Sequence, residues 1–145
     1  MSTSVRSSSF APRSITEIQI GGHILRTWYN SVYPADCGEF LFLCEHCLEY
    51  KNNISTMHDH ICPELNPPGK LIYRDPARRL AMFEVDGKKD KLYTRNLCAL
   101  SKLFLDTKGV YHDTDNFLFY VRRQGAARIR LIGYPLPDRG GIYTS

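Results

Sequence analysis

The stretch that most constrains this chain is CEHCLEYKNNISTMHDHIC, residues 44–62, which holds three of its five cysteines and three of its five histidines. Cys44 and Cys47 form a C-x2-C pair, a spacing that suits the tight knuckle of a zinc site built from thiolate and imidazole ligands. The preceding run EFLFL (39–43) is apolar and aromatic, which predicts a strand leading into that knuckle. Residues 39–66 are therefore predicted to form a zinc finger.

The remaining two ligands are expected from one helix. His58 and Cys62 stand four residues apart, so a helix would place both side chains on one face. Residues 53–61 can form this helix, with Asn53 near its start and Pro63 ending it. We therefore predict a C-x2-C-x10-H-x3-C finger with the ligands Cys44, Cys47, His58 and Cys62.

Two alternatives stay open at this point. His60 can replace His58 as the third ligand, although its spacing of two from Cys62 would place the two side chains on different sides of a helix. The three cysteines can also be free thiols in a reduced core. A site with four protein ligands leaves no open position for water, so the predicted finger is structural and not catalytic.

The other two cysteines are expected to be structural. An odd number of cysteines argues for a reducing compartment and against a disulfide framework. Cys37 is predicted to be a buried or loop residue. Cys98 falls on the apolar face of a predicted helix and is expected to pack in the core.

Composition narrows the class of protein. The 145 residues are 43% hydrophobic and 23% charged, as in a globular domain, and the net charge of +4 permits a weak contact with DNA. No run reaches the roughly 18 to 20 apolar residues that cross a bilayer, so we expect no membrane contact. Residues 1–14 are rich in serine and lack an apolar run, which predicts a disordered lead-in and not a secretory signal.

After the finger, strand and helix patterns alternate in a way that predicts an α+β fold. Asp86-Gly87 predicts a hairpin turn returning into a strand at 91–93, and Thr94 is expected to cap the helix 94–106. The other predicted strands are 70–74, 79–87, 116–123 and 127–134.

The segment RRQGAA (122–127) fits a loose pattern, R-x-x-G-x-A, that acetyltransferases use to bind the pyrophosphate of acetyl-CoA. Such a loop must open a helix so that main-chain N–H groups face the phosphates. Here the alternating run RIRLIGY follows, which favours a hairpin turn.

Five segments in one order resemble the N-terminal half of the catalytic domain of the MYST histone acetyltransferases. They are WYNSVYP (28–34), CEHCLEY (44–50), NPPGKLIYR (66–74), FEVDGKKDKLYTRNLCALSKLFLD (83–106) and FLFYV with LIGY (117–134). The resemblance covers residues 15–134, and the lead-in ITEIQIGG (15–22) is most similar to the male-absent-on-first branch.

The resemblance implies a lysine acetyltransferase of chromatin that works in the nucleus. Its fold would be a C2HC finger followed by the first strands and central helix of a GNAT-like domain. Its partners would be a histone tail resembling that of H4, or subunits of chromatin complexes. The LDTK motif places the family's autoacetylated lysine at Lys108. Acetyl-CoA is expected only for a full-length family member, whereas Zn(II) is expected for this chain.

The sequence also departs from the family pattern. Its finger is two residues shorter, and a divergent tail, PLPDRGGIYTS (135–145), follows LIGY. The family's acetyl-CoA loop, catalytic cysteine and glutamate base have no counterpart here. We therefore expect a truncated domain, inactive by itself and without catalytic or cofactor-binding residues. The alternative is a non-catalytic, zinc-dependent module that binds chromatin.

Overall fold

The structure is a computed structural model that describes residues 15–63, 65–105, 114–125 and 128–135, the last segment by its main chain. The predicted lead-in (1–14), Lys108 and all but the first residue of the predicted tail (135–145) lie outside the described residues. Among the helices that are described, none is long and apolar enough to cross a membrane. The described elements are two sheets, two α-helices and a short 3-10 helix (Ala35–Cys37), which confirms the predicted α+β class.

The first sheet carries the predicted finger at one edge. Its strands are β1 (Glu17–Ile20), β2 (His23–Arg26), β3 (Phe40–Leu43) and β4 (Tyr50–Lys51), in the order β2-β1-β3-β4. The β1–β3 pair is parallel, and the β1–β2 and β3–β4 pairs are antiparallel. The short helix α1 (Ile54–His58) follows β4, so the segment containing the candidate ligands begins at the end of β3 and continues past α1.

The second sheet is an antiparallel meander interrupted by a helix. Its strands are β5 (Lys70–Asp75), β6 (Leu80–Asp86), β7 (Phe117–Gln124) and β8 (Arg128–Pro135), in sequence order across the sheet. Phe83 lies opposite Val121 and Val85 opposite Phe119, and all four side chains are buried. Alternation along β6 and β7 therefore gives the sheet one apolar face.

Helix α2 (Lys91–Lys102) supplies side chains to both apolar cores. Ala99, in the later part of the helix, packs with Leu103 and with residues of the first sheet, including Ile18 and Leu41. The earlier part of the helix, including Leu97 and Cys98, packs with the apolar face of the second sheet. Leu100 and Ile20 contact both clusters, so the helix joins the two sheets. Cys98 is fully buried, as predicted, and Cys37 is buried in the first core.

The predicted strand at 91–93 is wrong, because these residues form the first turn of α2. Gly87 donates its N–H to Phe117 O and accepts from the hydroxyl of Thr114, and these bonds hold the turn against β7. A Cβ on Gly87 would lie 1.9 Å from Thr114 O, so only glycine fits there. Asp86-Gly87 thus starts a loop from a strand to a helix and not a hairpin turn between two strands. The local sequence does not distinguish these two kinds of loop.

The predicted cap at Thr94 is wrong for the same reason. The helix begins three residues earlier, and the Thr94 hydroxyl bonds instead to Asp90 O and Thr114 Oγ1, at 3.0 and 2.9 Å. Both threonines are buried, so their hydroxyl groups form a hydrogen bond with each other in place of hydrogen bonds to water.

The predicted hairpin after residue 123 is confirmed. Gln124 pairs with Arg128, and the two strands continue in antiparallel register to Phe117 and Pro135. Gly125 has φ of 62°, the left-handed conformation of a tight turn. The R-x-x-G-x-A segment is followed by a strand and not by a helix, so it does not open a helix as a pyrophosphate-binding loop would.

The two leucines of α2 provide a matched test of this packing. Leu97 is 3% exposed in the second core, whereas Leu92 is 73% exposed on the same helix. We expect Leu97→Ala to lower the free energy of unfolding by about 2–5 kcal/mol, since it leaves a cavity. Leu92→Ala should change it by no more than about 0.5 kcal/mol. Equal urea midpoints for the two variants would contradict the assignment of Leu97 to the core.

Candidate metal centre

The knuckle of the centre is the loop between β3 and β4. Cys44 follows the last residue of β3, and its N–H donates to Glu49 O at 2.9 Å, while Leu48 N–H donates back to Cys44 O at 3.0 Å. Leu48 adopts φ of 62° and its side chain is 1% exposed, packed in the second core. The C-x2-C pair is therefore held on a hairpin that is anchored by a buried leucine.

Four potential ligands meet beside this knuckle. The ligand atoms of Cys44, Cys47, His60 and Cys62 all lie within 4.8 Å of one another. Cys47 Sγ is 3.3 Å from His60 Nε2. Ligands at about 2.3 Å from a tetrahedral zinc ion are about 3.8 Å apart, so side-chain shifts of about an ångström would close the group around an ion. Three thiols and one imidazole are a donor set that fits zinc.

The structure brings together three of the four predicted ligands and places His60, not His58, with them. The difference follows from the length of α1, which ends at His58 and has Asp59 as its C-cap. His58 would share a face with Cys62 only on a helix that continued to Cys62. Past Asp59 the chain has no regular secondary structure, so the i, i+4 rule no longer relates His58 to Cys62, and His58 is exposed. The predicted cap at Asn53 does form, because its side chain accepts the N–H of Ser55 at 2.8 Å.

Without an ion, the surroundings of Cys47 oppose ionisation of its thiol. Burial, followed by the neighbouring thiols of Cys44 and Cys62, raises the pKa of Cys47 to about 12, although a main-chain hydrogen bond from Glu49 lowers it. A divalent cation reverses this balance, since a coordinating thiol is deprotonated outright. The residues thus fit a closed structural zinc site, held by Cys44, Cys47, His60 and Cys62, in which no ligand position remains for water or substrate.

Three further contacts lie beside the ligands. Glu49 Oε2 lies 3.3 Å from His60 Nδ1, and Glu49 Oε1 lies 2.5 Å from Lys51 Nζ. His46, inside the C-x2-C pair, instead turns its Nδ1 toward Leu65 O at 3.1 Å and holds the chain that leaves the finger. Glu49 was not predicted from the sequence; it precedes β4 directly, and its contact with His60 joins residues eleven positions apart, a relation that local spacing does not indicate.

A cavity of about 540 Å³ lies away from the finger, at the turn ends of the second sheet. Three arginines line it, Arg74, Arg79 and Arg123, together with Asp75. The Asp75 carboxylate is already engaged by Arg78, 3.7 Å away, and Arg123 donates to the side-chain carbonyl of Asn66. The lining is therefore positive, which suits an anionic ligand.

Comparison with known proteins covers both parts of this structure. A model of the MYST family zinc finger domain matches residues 12–62, and a model of the MOZ/SAS family matches residues 66–135. The first match contains every candidate ligand, and the second contains the strands of the second sheet and helix α2. Together they confirm the resemblance seen in the sequence.

Curated relatives of this chain are also named histone acetyltransferases. The chain is 38% identical over 139 residues to histone acetyltransferase mst2 of Schizosaccharomyces pombe, covering 92% of this chain and 34% of that protein. It is 46% identical over 114 residues to histone acetyltransferase of the MYST family 2 of Arabidopsis thaliana, covering 75% and 25%. It is 43% identical over 122 residues to histone acetyltransferase KAT6B of Mus musculus, covering 81% of this chain and 6% of that protein. The chain spans about a third or less of each relative, and it belongs to the MYST family.

Proposed function

We propose that this chain supplies the zinc finger, the two sheets and helix α2 of a nuclear lysine acetyltransferase that acts on histones in chromatin. What supports the proposal is that its similarity to proteins named histone acetyltransferases runs through the finger, helix α2 and the second sheet. An H4-like histone tail and subunits of chromatin complexes are the proposed partners, and acetyl-CoA is the proposed donor for a full-length family member.

In this proposal the finger is a scaffold. A closed site performs no acyl transfer, but its binding free energy becomes folding free energy for the segment that contains it. Leu48 connects the finger to the second core, where it packs with Phe83, Val85 and Leu97. The finger would therefore fix the sheet and helix on which the rest of a family domain is built.

We further propose that the 145-residue polypeptide does not catalyse acetyl transfer by itself. The reaction needs a base to deprotonate the attacking amine and a main-chain cradle to seat the pyrophosphate of the donor. The loop from β6 to α2 does not offer such a cradle, because the helix begins at the acidic cap Asp90. Lys108 remains the proposed autoacetylation position, by resemblance to the family.

The ligand set is tested by zinc content. We expect the purified chain to hold about one zinc ion, and His60→Ala to lose most of it, because the variant removes the imidazole of the cluster. Elemental analysis of chain dialysed against metal-free buffer measures the ratio of zinc to protein.

His58→Ala is the matched control, since it removes a neighbouring imidazole that lies outside the cluster. It should keep its zinc. Retention of zinc by His60→Ala together with its loss from His58→Ala would overturn the ligand set and restore the C-x2-C-x10-H-x3-C prediction.

Participation in acetyl transfer is tested with a chimera. We expect residues 12–135, placed in the matched segment of the fission-yeast relative, to preserve histone acetylation, because the segment has the family's finger and sheet. The same chimera with Cys44→Ser should be inactive. The isolated 145-residue polypeptide should show no acetyl-CoA binding by calorimetry, with the intact relative as the positive control.

Two results would contradict these proposals. An inactive but folded chimera would favour a non-catalytic role for the chain. Micromolar binding of acetyl-CoA to the isolated polypeptide would overturn the proposal that it is inactive by itself.

A second candidate function is a zinc-dependent module that binds chromatin through DNA, which the arginine-lined cavity favours. We expect Arg74→Gln with Arg123→Gln to weaken binding to duplex DNA and to reduce the salt slope by about 2, since each lost phosphate contact removes about 0.9. Fluorescence anisotropy at several salt concentrations measures both quantities. Arg95→Gln, which changes an exposed arginine of α2, is the control, and an equal loss there or no binding at low salt would contradict this candidate.

A further inference from the structure

Glu49 lies between one candidate ligand and a lysine. Its Oε2 is 3.3 Å from His60 Nδ1, and its Oε1 is 2.5 Å from Lys51 Nζ. The other nitrogen of the same imidazole, Nε2, is 3.3 Å from Cys47 Sγ within the cluster. The ring of His60 therefore has one nitrogen directed at the metal position and the other directed at a carboxylate.

This arrangement matches what a histidine ligand requires. A neutral imidazole has one N–H and one lone pair, so a nitrogen that binds a metal leaves the proton on the other nitrogen. A carboxylate that accepts this proton in a hydrogen bond fixes both the tautomer and the orientation of the ring, and it makes the ligand more basic.

The position of Glu49 is set by the knuckle and not by a flexible loop. Its carbonyl accepts the N–H of Cys44 at 2.9 Å, and Tyr50, the next residue, pairs with Leu43 across the β3–β4 ladder. A main-chain hydrogen bond from Glu49 also reaches Cys47. Glu49 thus contacts three of the ligand residues, Cys44 and Cys47 by its main chain and His60 by its side chain.

The surroundings of the imidazole make the contact effective. The side chain of His60 is only 13% exposed, so few water molecules compete for Nδ1. Lys51 holds the second oxygen of the carboxylate, which restricts its rotation. Glu45, a second acid of the knuckle, instead lies 3.6 Å from Nε2 of His46, outside the cluster.

We propose that Glu49 is a positioning residue of the metal centre: its carboxylate accepts the Nδ1 proton of His60 and holds Nε2 toward the ion, while Lys51 restrains the carboxylate. This inference rests on the proposed ligand set that includes His60.

The experiment measures zinc affinity by competition with a chromophoric chelator. Glu49→Gln keeps an acceptor oxygen without the charge, and Glu49→Ala removes both. We expect the association constant for zinc to fall about 10- to 100-fold, as is usual for the outer partners of a metal ligand, with the larger loss in Glu49→Ala. Glu45→Gln, a substitution of the same kind in the same loop, should stay within about twofold of the unchanged chain.

A second readout separates positioning from general stability. With zinc saturating, long-range proton–nitrogen NMR of the ring should report the Nδ1–H tautomer of His60 in the unchanged chain. In Glu49→Ala the Nδ1 proton should lose its protection from solvent exchange, while the pattern of main-chain signals stays the same.

The possible failures are distinguishable. If His60→Ala keeps its zinc, the ligand set is wrong and the inference falls with it. If His60→Ala loses zinc but both Glu49 variants bind it as tightly as Glu45→Gln does, the ligand set stands and the positioning role of Glu49 is overturned.

Discussion

The rest of the structure depends on one packing arrangement, in which helix α2 lies between two apolar cores. Leu97 and Cys98 belong to the core of the second sheet, and Ala99 to that of the first. Leu103, just past the helix, also accepts the N–H groups of Trp28 and Tyr29 through its carbonyl, at 2.9 Å each. Because neither four-stranded sheet can bury its apolar face alone, the helix is what makes the two sheets one unit.

Leu48 connects the finger to the core of the second sheet. That residue follows the second cysteine of the knuckle, occupies the left-handed region and is almost completely buried in the second core. The knuckle is therefore connected on one side to the metal position and on the other to the sheet. Three partly buried thiols would repel one another if ionised, so a divalent cation is the counter-charge that lets them converge. Metal binding and packing of the second core are thus expected to stabilise each other.

The sequence predicted the parts of this site that local spacing encodes. The C-x2-C pair, the strand before it and the distant Cys62 followed from residue types at fixed intervals. The identity of the histidine ligand did not follow from spacing, because it depends on where α1 ends. A helix of five residues has little intrinsic stability, so tertiary contacts determine its end. The strand predicted at 91–93 failed for a similar reason: Asp86-Gly87 is held by Thr114 and Phe117, residues far along the chain. Glu49 was missed because its role depends on a contact across the finger.

X-ray absorption at the zinc edge tests the central claim, that the finger closes through three thiolates and His60, most directly. We expect three sulfur neighbours at about 2.3 Å from the zinc ion and one nitrogen at about 2.0–2.1 Å, the distances typical of such ligands. In His60→Ala reconstituted with zinc, the imidazole scattering should be absent, whereas His58→Ala should give the spectrum of the unchanged chain. An imidazole signal that persists in His60→Ala and disappears in His58→Ala would contradict the account.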